Sequence, residues 1–178
     1  MLKWRQFAAG ALAVAFLAPT GGQSRATHRE QTDFSAEDEG VKHPVVIPEP
    51  VLAILCNDER VRNELKYEKI TPDHLPTSWF SAAEVHLSKP SERDLIVVAQ
   101  GPLMGANVDV FWVFTRGGAT YALALTIPAH DLIVEKSRSN GYRDLESMGA
   151  TAATVTTVSF HYDGDHYREY SEKTEDIK

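Results

Sequence analysis

Cysteine is all but missing from this chain. Cys56 is the single thiol among 178 residues, so no internal disulfide can form and stability has to come from a packed core. Runs long enough to cross a bilayer are missing as well. The apolar stretch near the N-terminus, Phe7–Ala18, covers twelve residues, whereas a spanning helix needs about 20. Gly-x-Ser-x-Gly, His-Glu-x-x-His, a phosphate-cradling glycine loop and a dinucleotide fingerprint do not occur, which removes the enzyme classes that depend on them. Positive charge is in short supply, with 18 Lys and Arg against 25 Asp and Glu and a net charge of -7. Such a surface repels phosphate backbones and anionic lipid heads, so neither nucleic acid nor a membrane surface is an expected partner. A cationic partner suits it better.

What is present begins with Lys3 and Arg5, followed by the uncharged Phe7–Ala18 stretch and then by Pro19, Gly21 and Gly22. This tripartite plan is that of a secretory signal peptide, expected over 1–26 with Ser24 at the minus-three position of the cut. Its removal takes away Lys3, Arg5 and Arg25 and no acid, leaving about ten net negative charges. The expected location is periplasmic or secreted, with no membrane attachment after cleavage. Residues 27–48 carry Glu30, Asp33, Glu37, Asp38 and Glu39 with few large apolar groups, and read as an acidic, proline-containing, largely disordered linker. One domain is expected over 49–172, with 173–178 as a disordered tail.

Within that domain Val51, Ile54, Leu55, Val61 and Leu65 recur at helical spacing behind Pro48 and Pro50, predicting one helix over 49–66 that Asn57 and Asp58 could nick. Beyond Pro76 the texture suits strands, expected near 82–87, 94–100, 108–116, 119–127, 131–136, 152–162 and 165–171. The connections are too short for crossover helices, so the sheet should be antiparallel. The fold class is therefore α+β: an antiparallel β-meander of six to seven strands with one N-terminal helix packed on it. Trp79 and Phe80 read as a core plug joining helix to sheet, and Cys56 as a buried small hydrophobe.

An Arg-Asp-Leu triplet leading to Phe-x3-Gly-x2-Tyr occurs twice: Arg93-Asp94-Leu95 with Phe114, Gly118 and Tyr121, and Arg143-Asp144-Leu145 with Phe160, Gly164 and Tyr167. This implies two copies of one β unit. Gly117-Gly118 and Asp163-Gly164 read as two-residue hairpin turns. Counting outward then sets Phe114 opposite Tyr121, Phe160 opposite Tyr167, Thr115 opposite Thr120 and His161 opposite His166. The order Asp94-Leu95-Ile96-Val97, then Val113-Phe114-x3-Gly118, resembles the FG-GAP or VCBS repeats of bacterial extracellular proteins and integrin propellers, well over 86–121 and loosely over 140–170. Such repeats commonly carry a calcium loop ending on the acid before the strand. With Asp94 as that acid the earlier ligand positions are His86, Ser88 and Pro90, with Ser91 in place of glycine, and these supply none of the carboxylates calcium needs. Two units also fall short of the four or more blades of a closed propeller.

Three places could carry chemistry. His161 and His166, as a cross-strand pair, would bring two imidazoles to one transition-metal ion with Asp163 or Asp165 nearby, although the plain reading is a solvated polar face. The Gly101–Asn107 loop offers Leu103, Met104 and Asn107 as binding residues beside an aromatic strand, or else folds back to cap the core. Cys56 with His74 or His86 could form a nucleophile and base on paper, though no spacing demands it. No cofactor is expected. The leading expectation is a non-enzymatic exported bacterial protein that binds a protein or envelope component. The alternatives are an inhibitor of a cationic secreted enzyme such as lysozyme, and a small metal-dependent or Cys/Ser hydrolase.

Overall fold

The computed structural model describes residues 30–177; the signal-peptide expectation for 1–26 lies outside them. The chain runs β1 (Asp33–Ser35), α1 (Glu49–Leu55), α2 (Glu59–Glu68), β2 (Phe80–Val85), β3 (Asp94–Ala99), β4 (Asp109–Gly117), β5 (Thr120–Ala129), β6 (Asp131–Ser139), β7 (Tyr142–Ala150), β8 (Thr154–Tyr162) and β9 (Tyr167–Asp176). It is α+β with antiparallel pairing throughout. The strands form two sheets, β2-β3-β4-β5 and β1-β6-β7-β8-β9.

The expected single helix is two. Asp58 adopts an extended conformation (φ -62°, ψ 139°), and its Oδ1 accepts from the backbone N–H groups of Arg60 at 2.9 Å and Val61 at 3.3 Å, restarting the chain as α2. Lys69, in the left-handed region at φ 58°, ends it. Val51, Leu55, Val61 and Leu65 point from both helices into one core with Trp79, Phe80, Leu95, Val97, Trp112 and Phe114. The rings of Phe80 and Trp112 meet edge-on, 5.7 Å between centroids. A second core lies between the sheets, built on Phe34, Ile96, Val98, Phe111, Val113, Leu132, Leu145, Phe160, Tyr162 and Tyr167.

The protein is thus three layers deep: helices, four-stranded sheet, five-stranded sheet. The middle sheet is covered on both faces, so β3 is buried throughout and β4 is buried from Asp109 to Thr115. That is why Leu95–Ala99 and Val110–Phe114 are unbroken apolar runs rather than alternations. The single meander expected from sequence divides into nine strands because β1 and β7 escape the strand pattern. β7 contains Arg143, Asp144, Glu146 and Ser147 and owes its place to Leu145 and to pairing on both sides. Residues 30–48 are not the free linker expected. Phe34 is 1 % exposed, β1 pairs with β6, and Val45 N donates to Ala82 O at 2.9 Å along the edge of β2. The tail likewise continues as strand to Asp176, paired with β8.

The duplicated motif corresponds to two four-stranded meanders, β2–β5 and β6–β9. Leu95 pairs with Phe114 in the first and Leu145 with Phe160 in the second. In the first copy these side chains face the helices, and in the second the same pair faces the other sheet. The meanders therefore stack head to tail, like successive layers, and are not related by a two-fold axis. Aligned on those pairs, Ile96, Val98, Phe111 and Val113 of the first copy correspond to Glu146, Met148, Thr157 and Ser159 of the second. The former are buried between layers, and the latter, half-buried, lie on the outward side of the last layer. A terminal layer needs a polar outer face.

Both hairpin registers differ from the expected ones. The first turn closes on Gly117 and Thr120, one residue later than expected, which sets Phe114 against Leu123 rather than Tyr121, and a bulge at Val113/Phe114 then sets Val113 against Leu125. Only Gly118, at φ 65°, takes a positive φ there. The second closes on Tyr162 and Tyr167 over a four-residue loop, so Phe160 faces Glu169 and His161 faces Arg168. The Asp163 carboxylate holds that loop, its Oδ1 accepting from the N–H groups of Asp165 at 2.9 Å and His166 at 2.8 Å.

Candidate functional site

The register removes the cross-strand pair on which the metal reading of His161 and His166 stood. His166 sits in the turn with Nδ1 2.8 Å from Asp165 Oδ2. His161 lies on the outer face of β8, its ring stacked on Tyr170 with centroids 4.0 Å apart and its Nε2 3.9 Å from Asp144 Oδ2. Asp163 is turn scaffold: the His166 and Asp165 N–H groups, and then Arg168, hold its carboxyl well below the usual carboxylate range. Among the described residues no group of three or more His, Cys, Asp or Glu is disposed to hold a metal ion.

The Gly101–Asn107 loop caps the helix-side core. Leu103 is a core residue, 1 % exposed and packed with the helices and Trp112, so it is not presented to a ligand as expected. Met104 and Asn107 remain at the surface. The loop turns back on itself at Gly105, whose N–H donates to Val108 O; a Cβ there would come within 2.2 Å of that oxygen. Behind it, the buried Asp109 has its Oδ1 3.4 Å from Gly105 N, and its Oδ2 has no partner among the described residues. Burial pushes the Asp109 carboxyl up, against the opposing pull of the Gly105 N–H and the Arg60 charge.

The proposed nucleophile and base do not meet. Cys56 Sγ contacts Pro72 O at 3.7 Å, while His74 Nδ1 bonds Thr71 Oγ1 and His86 bonds Glu30 and Arg93. His86 serves a different purpose. Arg93 donates to His86 Nε2, His86 Nδ1 lies 3.1 Å from Glu30 Oε1, and Glu30 Oε2 lies 3.3 Å from Arg143 Nη1. The arginines of the two repeat copies are thereby tied together across the layers. The acid that would end a calcium loop, Asp94, is an internal brace. It is fully buried and accepts from the N–H groups of Leu87 (2.8 Å), Ser88 (3.2 Å) and Arg116 (2.8 Å).

A recess that could receive a ligand comes, among the described residues, from positions the sequence does not join. α2 lies beside the paired ends of β4 and β5, leaving an open groove of about 510 Å³ lined by Asp58, Glu59, Arg60, Asn63, Glu64, Val110, Thr126 and Pro128. Val110 and Pro128 are cross-strand partners, as are Trp112 and Thr126, so the floor is one patch of sheet. Asp58 is committed, with Oδ1 capping α2 and Oδ2 accepting from the Trp112 indole N–H at 3.0 Å. Glu59 and Glu64 are not: among the described residues their carboxylates make no hydrogen bond or ion pair. The groove therefore offers two uncommitted carboxylates, with the Arg60 guanidinium also on its wall, above a floor of Val110, Thr126 and Pro128. Comparison with protein-family models, with curated proteins and with solved structures finds no match to the chain.

Proposed function

We propose that the chain is an exported, non-enzymatic binding protein of the periplasm or extracellular space whose partner presents a basic segment to the groove beside α2. The observation that carries this reading is the pairing of uncommitted Glu59 and Glu64 with the Val110 and Pro128 floor. Lysine and arginine are built for such a place, because their stems cover apolar surface while their heads reach carboxylates. The net charge of -7 adds long-range steering of a cationic partner, which raises association rate and specificity more than affinity. Kinship with FG-GAP-like repeat units rests on the sequence resemblance over 86–121. Export rests on the Lys3-to-Gly22 pattern of the sequence.

A basic secreted enzyme such as lysozyme is one partner of this kind, and the chain would then act as its inhibitor. Calorimetric titration of lysozyme into the chain, with lysozyme turnover measured in parallel, tests both statements. A salt-sensitive complex that is lost in the Glu59→Lys/Glu64→Lys double variant is the expected result, and lowered turnover adds inhibition. A complex indifferent to both substitutions removes the groove from the account.

A further inference from the structure

We infer that the partner segment binds as an added strand on the free edge of β5; this rests on the groove reading above and specifies how the segment lies in it. The two sheets have four edges, and three are guarded. The edge of β2 is covered by the N-terminal segment, where Val45 N bonds Ala82 O and Val41 N bonds Ser81 Oγ. β1 is three residues long. β9 carries Arg168, Glu169, Glu172, Lys173, Glu175 and Asp176, and a bulge interrupts its pairing. Charge, brevity, cover and bulges are the ordinary protections of a strand edge.

β5 has fewer of them: a bulge at Ala124, where its pairing with β4 shifts, and a proline near one end, but neither charge, cover nor brevity. It is a ten-residue edge strand, Thr-Tyr-Ala-Leu-Ala-Leu-Thr-Ile-Pro-Ala, without a charged side chain. Among the described residues its backbone bonds only to β4. Pro128, which has no N–H, blunts it at one end only. Thr120, Ala122, Thr126 and Pro128 are exposed along it, so an incoming backbone meets small side chains. Such an edge is a template for an extended peptide, in which main-chain bonds give affinity and alternate side chains give specificity.

Charge decides between occupants. Thr126 and Pro128 belong to both the edge and the groove, so a strand laid along β5 passes the Glu59 and Glu64 carboxylates. A second copy pairing through its own β5 would bring no cation there, because that strand is neutral. An extended partner segment with lysine or arginine at alternate positions satisfies both the edge and the acids.

The probe is an acetylated, amidated Lys-Val alternating octapeptide, with the same peptide methylated at every backbone nitrogen as its control. Both carry the same charge and side chains, and only the first can donate main-chain hydrogen bonds. The expected result is saturable binding of the first, weakened about tenfold or more by methylation, together with slowed amide exchange in 120–127. The Glu59→Lys/Glu64→Lys variant should bind both peptides more weakly. Equal binding of the two peptides without β5 protection would overturn strand addition and leave the groove reading standing. Absence of binding by either peptide overturns both. A dimer in sedimentation, with β5 protected before any peptide is added, overturns the inference in favour of a second copy.

Discussion

His130 sits between β5 and β6 with Nδ1 3.1 Å from Asp131 Oδ2 and Nε2 3.6 Å from Glu37 Oε1. The Asp131 carboxylate, aided by Glu37, raises its pKa above the ordinary 6.5, and partial burial opposes this without reversing it. A histidine bound more tightly as its cation in the fold stabilises the fold while it is protonated. That contribution is fully present below the unfolded pKa and is lost as pH rises through the folded one. His130→Gln should therefore cost stability at roughly pH 5.5 and little at roughly pH 8.5. Denaturant midpoints for both proteins across that range check it, and a gap independent of pH would assign the residue a packing role instead. At this scale the sequence is least legible. Leu103 and Met104 are adjacent and similar, yet one is core and the other surface. His161 and His166 look like a pair only if the turn has two residues, and it has four. Glu59 and Glu64 look like any acids on a solvated helix, and only the neighbouring Val110 and Pro128 distinguish them.

Asp58 connects residue to element. Its two oxygens start α2 and hold the Trp112 indole, so one side chain fixes where the helix begins and how it seats on β4. Asp58→Ala removes an N-cap, typically worth about 1 kcal/mol, and leaves a buried indole N–H unpaired at about 1–3 kcal/mol. The expected loss is about 2–4 kcal/mol, read by urea unfolding followed through tryptophan fluorescence. Asp58→Asn keeps an acceptor for the cap and should lose less. Equal losses in the two variants would mean that charge, not hydrogen bonding, carries the effect. Elements were legible where pattern and chemistry agree. The apolar runs of β3 and β4 are unmistakable, and the break near Asn57-Asp58 is visible. Asn140-Gly141 reads from sequence only as a loop; the structure makes it the turn between β6 and β7, with φ of 50° and 84°. β7 was not legible, because only Leu145 marks its core face, which Arg143 and Ser147 share, while Asp144 and Glu146 lie on the outer face of a terminal layer.

At the scale of the whole molecule, the repeat implied two β units, and two meanders are present. Their stacking direction could not be read from the repeat, since it depends on which face each copy buries. Least expected is the clasp formed by residues 30–48. From Glu30, which reaches Arg143 on one sheet and His86 beyond the other, the chain passes through Phe34 in the core between the sheets. It continues past Val41, bonded to Ser81, to Val45, bonded to Ala82. The composition is acidic and poor in large apolar groups, which is why it reads as disordered, but a single well-placed aromatic outweighs the average. Phe34→Ala should destabilise the protein by about 3–5 kcal/mol, the usual cost of emptying a buried aromatic site. A solvated linker position would change by no more than about 0.5 kcal/mol. Native-state exchange in the same variant should show β1, β6 and the β2 edge losing protection together, because one segment spans all three. A small loss, or fraying confined to β1, would make 30–48 an appendage of one sheet rather than the piece that holds the two layers together.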